Sequence, residues 1–187
     1  MDIRERIINA CRALALDQGL HRFTMDALAV KAGVSKRTIY RYFDSKEAVI
    51  EATLDDFMQG AAAKVEQMLL GEQNPIIFFN YFLNYLFTQG KFIINPAALS
   101  DLRLYYPQLW SRIDAFRLNQ LRSVLNRLMA ANPSLLQDID PRILAAALTA
   151  VIQNVLNPDF ILENNLTFEE TARQLSLIFT VFFTPKL

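Results

Sequence analysis

The chain has 187 residues, a single cysteine, a single histidine, and 19 basic side chains against 19 acidic ones, for a formal net charge of +0. That length holds one compact unit with a sizeable core, or a small module on a larger one. Cys11 alone excludes an internal disulfide and fits a reducing compartment, and one histidine with one cysteine leaves no zinc-ligand spacing.

Five glycines and hardly any alternating apolar–polar run argue against strands, so the chain reads as helix throughout. The first helix is expected from about Ile3 to Asp17, with Ile3, Ile7, Ala10, Cys11 and Leu14 on one face and Gly19 as its end. Thr24 caps a second helix, Asp26 suits its first turn, and Ala32–Gly33 closes it. Gly33 stands where the chain turns, a place that often demands a positive φ. Ser35 caps a third helix, Lys36 to Phe43, anchored by Ile39 and Phe43. Its remaining faces carry Lys36, Arg37, Thr38, Tyr40, Arg41 and Tyr42. An apolar anchor under a basic, hydroxyl-rich face is what reading a major groove requires. The charge distribution agrees: residues 1–50 hold nine Lys or Arg and six Asp or Glu, and residues 51–187 hold ten and thirteen.

Over residues 24–46, TMDALAVKAGVSKRTIYRYFDSK, the chain resembles the TetR family of transcriptional regulators. Thr24, Gly33, Val34, Ser35, Thr38, Ile39, Tyr40, Phe43 and Lys46 fall where that pattern places them, and the likeness extends over about residues 3 to 55. The resemblance implies an all-α protein of about nine helices. Residues 1–46 would form a three-helix, helix-turn-helix DNA-binding head, and residues 47–187 an effector-binding and dimerisation domain reached through a long fourth helix. It also implies a ligand-responsive repressor, while the lone cysteine and the lack of a charged-then-apolar leader pattern lead us to expect a cytoplasmic location. As a homodimer it would bind a palindromic operator in double-stranded DNA, and a small, largely apolar effector would release it, with no cofactor. On the DNA face, Lys36, Arg37 and Tyr40 are expected at bases, with Arg37 on a guanine edge. Thr24, Ser35, Thr38, Tyr42 and Lys46 are expected at phosphates. Tyr42 fits a second role equally well, packing its ring inside the head.

The fourth helix starts at Asp44 or Ser45 and runs to about Leu70, a rod of nearly 40 Å at about 1.5 Å per residue. Gly60 within it is either a weak point or a place of close packing. A fifth helix starts at Asn74–Pro75 and reaches Gln89 or Gly90, and a sixth runs from Asn95–Pro96 to about Leu104. A seventh runs from Pro107 to Ala131, an eighth from Asp140–Pro141 to Asn157–Pro158, and a ninth from the Thr167–Glu170 capping box to about Phe183. The apolar stretches around 76–94 and 143–156 are broken by Asn80, Asn84, Lys91, Gln153 and Asn154, short of the roughly 18 residues that a membrane span needs. No membrane partner is expected.

Residues 78–92 pack seven aromatics into fifteen positions, with Asn80, Asn84 and Thr88 as a polar stripe. Apolar walls with a few polar groups suit a small apolar ligand. The candidate lining is Phe82, Asn84, Tyr85, Thr88, Arg103, Tyr106 and Trp110. Ordinary core packing with a solvated Asn stripe fits the same residues. The eighth helix reads ILAAALTAVIQNVL without a charge, and the ninth reads LSLIFTVFF. Each is apolar nearly all round, so a four-helix bundle between two copies would cover them, with Ala146, Ala150, Leu175, Phe179 and Phe182 at the interface. The alternative is that both are central core helices of a monomer. Adjacent acid pairs such as Asp55–Asp56 do not converge on a helix, and no phosphate-cradling glycine loop occurs, so no catalytic or metal site is expected. A helical dimer that docks a protein partner through the head is the other functional reading, and operator binding by the purified chain separates the two.

Overall fold

The computed structural model describes residues 2–71, 74–131 and 139–183. Among them there are eleven helices and no strand: α1 Ile3–Gln18, α2 Met25–Ala32, α3 Lys36–Tyr42, α4 Lys46–Gly71, α5 Pro75–Gln89, α6 Lys91–Ile94, α7 Pro96–Tyr105, α8 Pro107–Ala131, α9 Pro141–Val155, α10 Pro158–Glu163 and α11 Phe168–Phe183. The helices start where short polar side chains satisfy the first free N–H groups. Thr24 accepts from Ala27 N, Ser35 from Thr38 N, Ser45 from Ala48 N and Asn95 from Ala98 N. Thr167 accepts from Glu170 N in the same way.

Two helices exceed the expected nine, α6 and α10. Gly90 and Asn157–Pro158 read as breaks, and pieces of four and six residues are too short to show a period. Each exists because it sinks an apolar side chain: Phe92 and Ile93 from α6, Ile161 from α10.

The chain divides into two compact units, residues 1–60 with 89–113, and residues 61–88 with 114–187. In the first, Ile7, Cys11, Leu20, Leu28, Ile39, Val49 and Ile50 form a closed core. Thr53 is buried there and its hydroxyl donates to Val49 O at 2.7 Å, so it leaves no unmet polar group. Burial also pushes the Cys11 thiol up to about 11, against smaller opposing effects of Thr53, Lys46 and Arg12, so it stays protonated. Phe92 and Phe57 meet edge to face, and Arg12 lies over the Phe92 ring while paired to Asp56. Arg112 bridges Glu51 and Asp55 on α4.

In the second unit, Val65, Met68, Phe78, Val124, Leu128 and Met129 make one apolar cluster, from α4, α5 and α8. Leu83, Leu125, Leu148, Ile152, Leu156, Ala172 and Leu175 make another, from α5, α8, α9 and α11. Arg117 donates to the carbonyl of Leu156 at 2.8 Å and ties α8 to the end of α9. Leu175, expected at an interface with a second copy, has 0% exposure within this cluster. That expectation is corrected: Leu175 faces α5, α8 and α9 of its own chain. Leu175→Ala should therefore destabilise the chain by about 2–5 kcal/mol through a core cavity. Urea unfolding checks this, and a loss below that range, with only weakened self-association, would return Leu175 to the surface.

Candidate nucleic-acid interface

The turn between α2 and α3 is built from backbone outward. Gly33 adopts φ 65 and ψ 38, the left-handed region that side-chain-bearing residues rarely enter. Its N–H donates to Val30 O at 3.1 Å, and Val34 N–H donates to Ala29 O at 3.0 Å. This paired closure satisfies the last carbonyls of α2. The carbonyls of Ala32 and Gly33, at the turn itself, both accept from Arg6 Nη2 of α1 at 2.8 Å. A Cβ at position 33 would stand 2.7 Å from that same nitrogen, so glycine is needed twice, for conformation and for space. Arg6 escaped the sequence reading. Its role depends on a contact 26 residues away, and the only local hint is a cation on the polar side of α1.

From this turn α3 is laid down in one orientation. Ile39 is fully buried and Phe43 nearly so, while Arg4 lies over the Phe43 ring. Beside these anchors, Lys36, Arg37 and Tyr40 form one exposed face, with Tyr40 four residues from Lys36 and three from Arg37. Tyr40 is 47% exposed. Arg37 has no ion-pair or hydrogen-bond partner among the described residues. Lys36 pairs with Asp26 of α2 at 3.0 Å, and that hydrogen bond holds its ammonium above the usual range. Arg41 lies over the ring of Tyr42, so Tyr42 is an exposed platform, not a packed core ring.

The expected phosphate donors divide in two. Thr24 and Ser35 are N-caps whose oxygens already accept backbone N–H groups, and the Ser35 and Thr38 hydroxyls lie 2.8 Å apart. Both caps lie beside the exposed N-termini of α2 and α3, where an anion is favoured. Lys46 is different. Its ammonium donates to His21 O at 2.5 Å and sits over the Phe23 ring, half-buried. Burial holds its pKa below the usual lysine value. Lys46 therefore ties the start of α4 to the α1–α2 loop, which occupies one of its three N–H donors. The same loop is gripped from α7. Asp101 accepts from His21 N at 2.8 Å, and the His21 ring stacks on Tyr105 at 3.7 Å.

The seven expected ligand residues fall in two different units. Phe82 and Tyr85 are half-buried on α5, whereas Asn84 and Thr88 are exposed. The Thr88 hydroxyl donates back to carbonyls of its own helix at Asn84 and Tyr85. Asn80, at the head of that polar stripe, takes a hydrogen bond from Ser176. Arg103, Tyr106 and Trp110 belong to the first unit. There Tyr106 is buried, and that burial, with Asp101 nearby, pushes its hydroxyl up to about 12. Of the expected interface residues, Ala146 and Ala150 are exposed on α9, and the side chains of Phe179 and Phe182 lie outside the described residues. Among the described residues, no three His, Cys, Asp or Glu side chains gather as metal ligands, and no helix is long and apolar enough to cross a membrane.

A capped helix pair with a left-handed glycine turn and a cationic second helix is the module of a helix-turn-helix transcriptional regulator. Residues 7–53 match the sequence profile of bacterial regulatory proteins, tetR family. The uncharacterized HTH-type transcriptional regulator YvaF of Bacillus subtilis is 29% identical over 163 residues, which cover 82% of this chain and 81% of that one. A transcriptional regulator from Cytophaga hutchinsonii has the same fold, with a TM-score of 0.74 at 15% identity over 96% of this chain and 95% of that one. FadR of Bacillus subtilis, solved in complex with stearoyl-CoA, has a TM-score of 0.66 at 16% identity over 98% and 99%. Residues 7–53 thus carry the DNA-binding module of the TetR family of transcriptional regulators, and over most of its length the chain is similar to such regulators, which are not enzymes.

Gly33→Ala should destabilise the first unit by about 1–3 kcal/mol, from the left-handed backbone and the displaced Arg6. Thermal and urea melts check this, and a variant as stable as the wild type would show that the turn tolerates a side chain.

Proposed function

We propose that the chain is a ligand-responsive repressor that binds a palindromic operator as a homodimer. The observation that carries this reading is the exposed face of α3, where Lys36, Arg37 and Tyr40 stand together at the end nearest the turn. In the major groove, Arg37 donates two hydrogen bonds to guanine O6 and N7. Lys36 takes a second base edge, and Tyr40 meets a thymine methyl or a phosphate. Thr24, Ser35, Thr38 and Tyr42 donate to phosphates and set the register. Lys46 contributes there only with the donors that His21 leaves free.

The homodimer is supported by the outer faces of α9 and α11. Ile143 is 66% exposed and Leu177 58% exposed, with Val151 and Ile178 beside them. Ala146, Ala147 and Ala150 on the same face of α9 let another backbone come close. Opposed to themselves across a two-fold axis, these faces make a four-helix contact, and the two heads meet inverted half-sites.

The effector is a small, largely apolar molecule received by the second unit, where Phe82 packs against an interior of Val65, Met68, Phe78, Val124, Leu128 and Met129 and Tyr85 is half-buried on the same helix. FadR, solved with stearoyl-CoA, supports a lipophilic class of ligand. Helices α4 and α8 each contribute residues to both units, and α4, which follows directly on α3, is the natural lever. Effector and operator then prefer different settings of that lever, and each weakens the other by the same factor.

Selection of bound sequences from random duplexes tests the reading. The expected result is an inverted repeat with half-sites roughly 34–36 Å apart, or a multiple of that, held by two chains. Arg37→Ala should then lose about 1–3 kcal/mol on that duplex and relax its sequence preference. No enriched sequence, or a single chain per duplex by light scattering, would contradict the proposal.

A further inference from the structure

Asp26 and Lys36 form the one described ion pair that joins the two helices of the helix-turn-helix, at 3.0 Å. Asp26 lies in the first turn of α2, where the free N–H groups favour an anion, and Lys36 is the first residue of α3. The carboxylate thus occupies a place that suits a DNA phosphate and holds a cation that suits one too. Both side chains are open to water, 74% exposed for Asp26 and 46% for Lys36. A pair this exposed is weak and exchanges readily.

We propose that Asp26 is a specificity-determining residue of the DNA-binding face, its carboxylate standing in for a phosphate and withholding Lys36 from non-operator DNA. The inference rests on the operator-binding reading. Its physics is a difference between two kinds of acceptor. A phosphate that takes Lys36 brings a negative charge beside Asp26, so attraction to the lysine is offset by repulsion from the acid. A guanine O6 or N7 carries no net charge, so Lys36 can donate to it while Asp26 stays close. The acid therefore penalises backbone contacts, which every duplex offers, more than base contacts, which only the operator offers. Non-operator binding is lowered and the ratio between operator and other DNA rises.

The test compares wild type, Asp26→Asn, Lys36→Gln and the double variant. Each is titrated across salt against a duplex of scrambled sequence and against the duplex that wild type enriches. Asp26→Asn should tighten the scrambled duplex roughly fivefold per head at about 0.15 M salt and steepen its salt slope by about 0.9 per head, the signature of one more phosphate contact. The enriched duplex should gain less, so the specificity ratio falls. In the Lys36→Gln background, Asp26→Asn should leave the salt slope unchanged. Asp26→Ser, which changes the shape as well, must shift the scrambled duplex in the same direction. The proposal is overturned if Asp26→Asn leaves the scrambled duplex unaltered. It is also overturned if the full gain persists without Lys36, or if the ratio does not fall. A wild-type chain that enriches no duplex is a separate failure, of the operator reading, and the scrambled-duplex series still reports on Asp26 in that case.

Discussion

The recognition surface depends on one backbone constraint, the left-handed turn at Gly33 under the guanidinium of Arg6. The turn sets the angle between α2 and α3. Arg6 then locks it from α1, by donating to two carbonyls that no helix bond can reach. Hydrogen bonds from a charged donor are stronger than neutral ones, and Arg6 is half-buried, so water competes with them only in part. From that point the sequence of α3 sorts itself. Ile39 must go inward, Phe43 follows it, and the cations and tyrosines are left outside. A residue such as Arg37 gains its meaning from a glycine four positions earlier and an arginine on another helix.

The same logic of leftover faces runs through the second unit. α9 and α11 bury Leu148, Ile152, Ala172 and Leu175 against α5 and α8. That uses one face of each helix. The other face keeps Ile143, Val151, Leu177 and Ile178 in water. Exposed apolar side chains are ordinary when scattered, but a stripe along two neighbouring helices is not. A buried face and an exposed face therefore divide the apolar residues of α9 and α11 between them, and the sequence alone did not make that division. Both helices read as apolar all round, and Leu175 could not be told from Leu177 without knowing where α5 and α8 lie.

What was legible in the sequence is local, and what was not is distant. The caps at Thr24, Ser35, Asn95 and Thr167 were readable because a cap needs only three residues of context. Gly33 was readable for the same reason, with Ala29, Ala32 and Ile39 around it. The contacts of Arg6, Lys46 and Asp101 were passed over because their partners lie 26, 25 and 80 residues away. Lys46 shows the point well. Its position suggests a phosphate ligand, yet its first obligation is to the His21 carbonyl. The short helices α6 and α10 were missed because too few residues carry their period, although Phe92 and Ile161 justify them once the core is known. The proposed ligand residues were chosen by composition, and composition does not say that Tyr106 belongs with the first unit's core while Phe82 belongs with the second's.

Amide hydrogen exchange of the whole chain, with and without its enriched duplex, tests the central claim most directly. If α3 enters the groove with the amino ends of α2 and α3 on the phosphates, slowing on DNA should concentrate in residues 24–27 and 35–42. Slowing confined to the second unit, or none in residues 35–42 at saturating duplex, would contradict it.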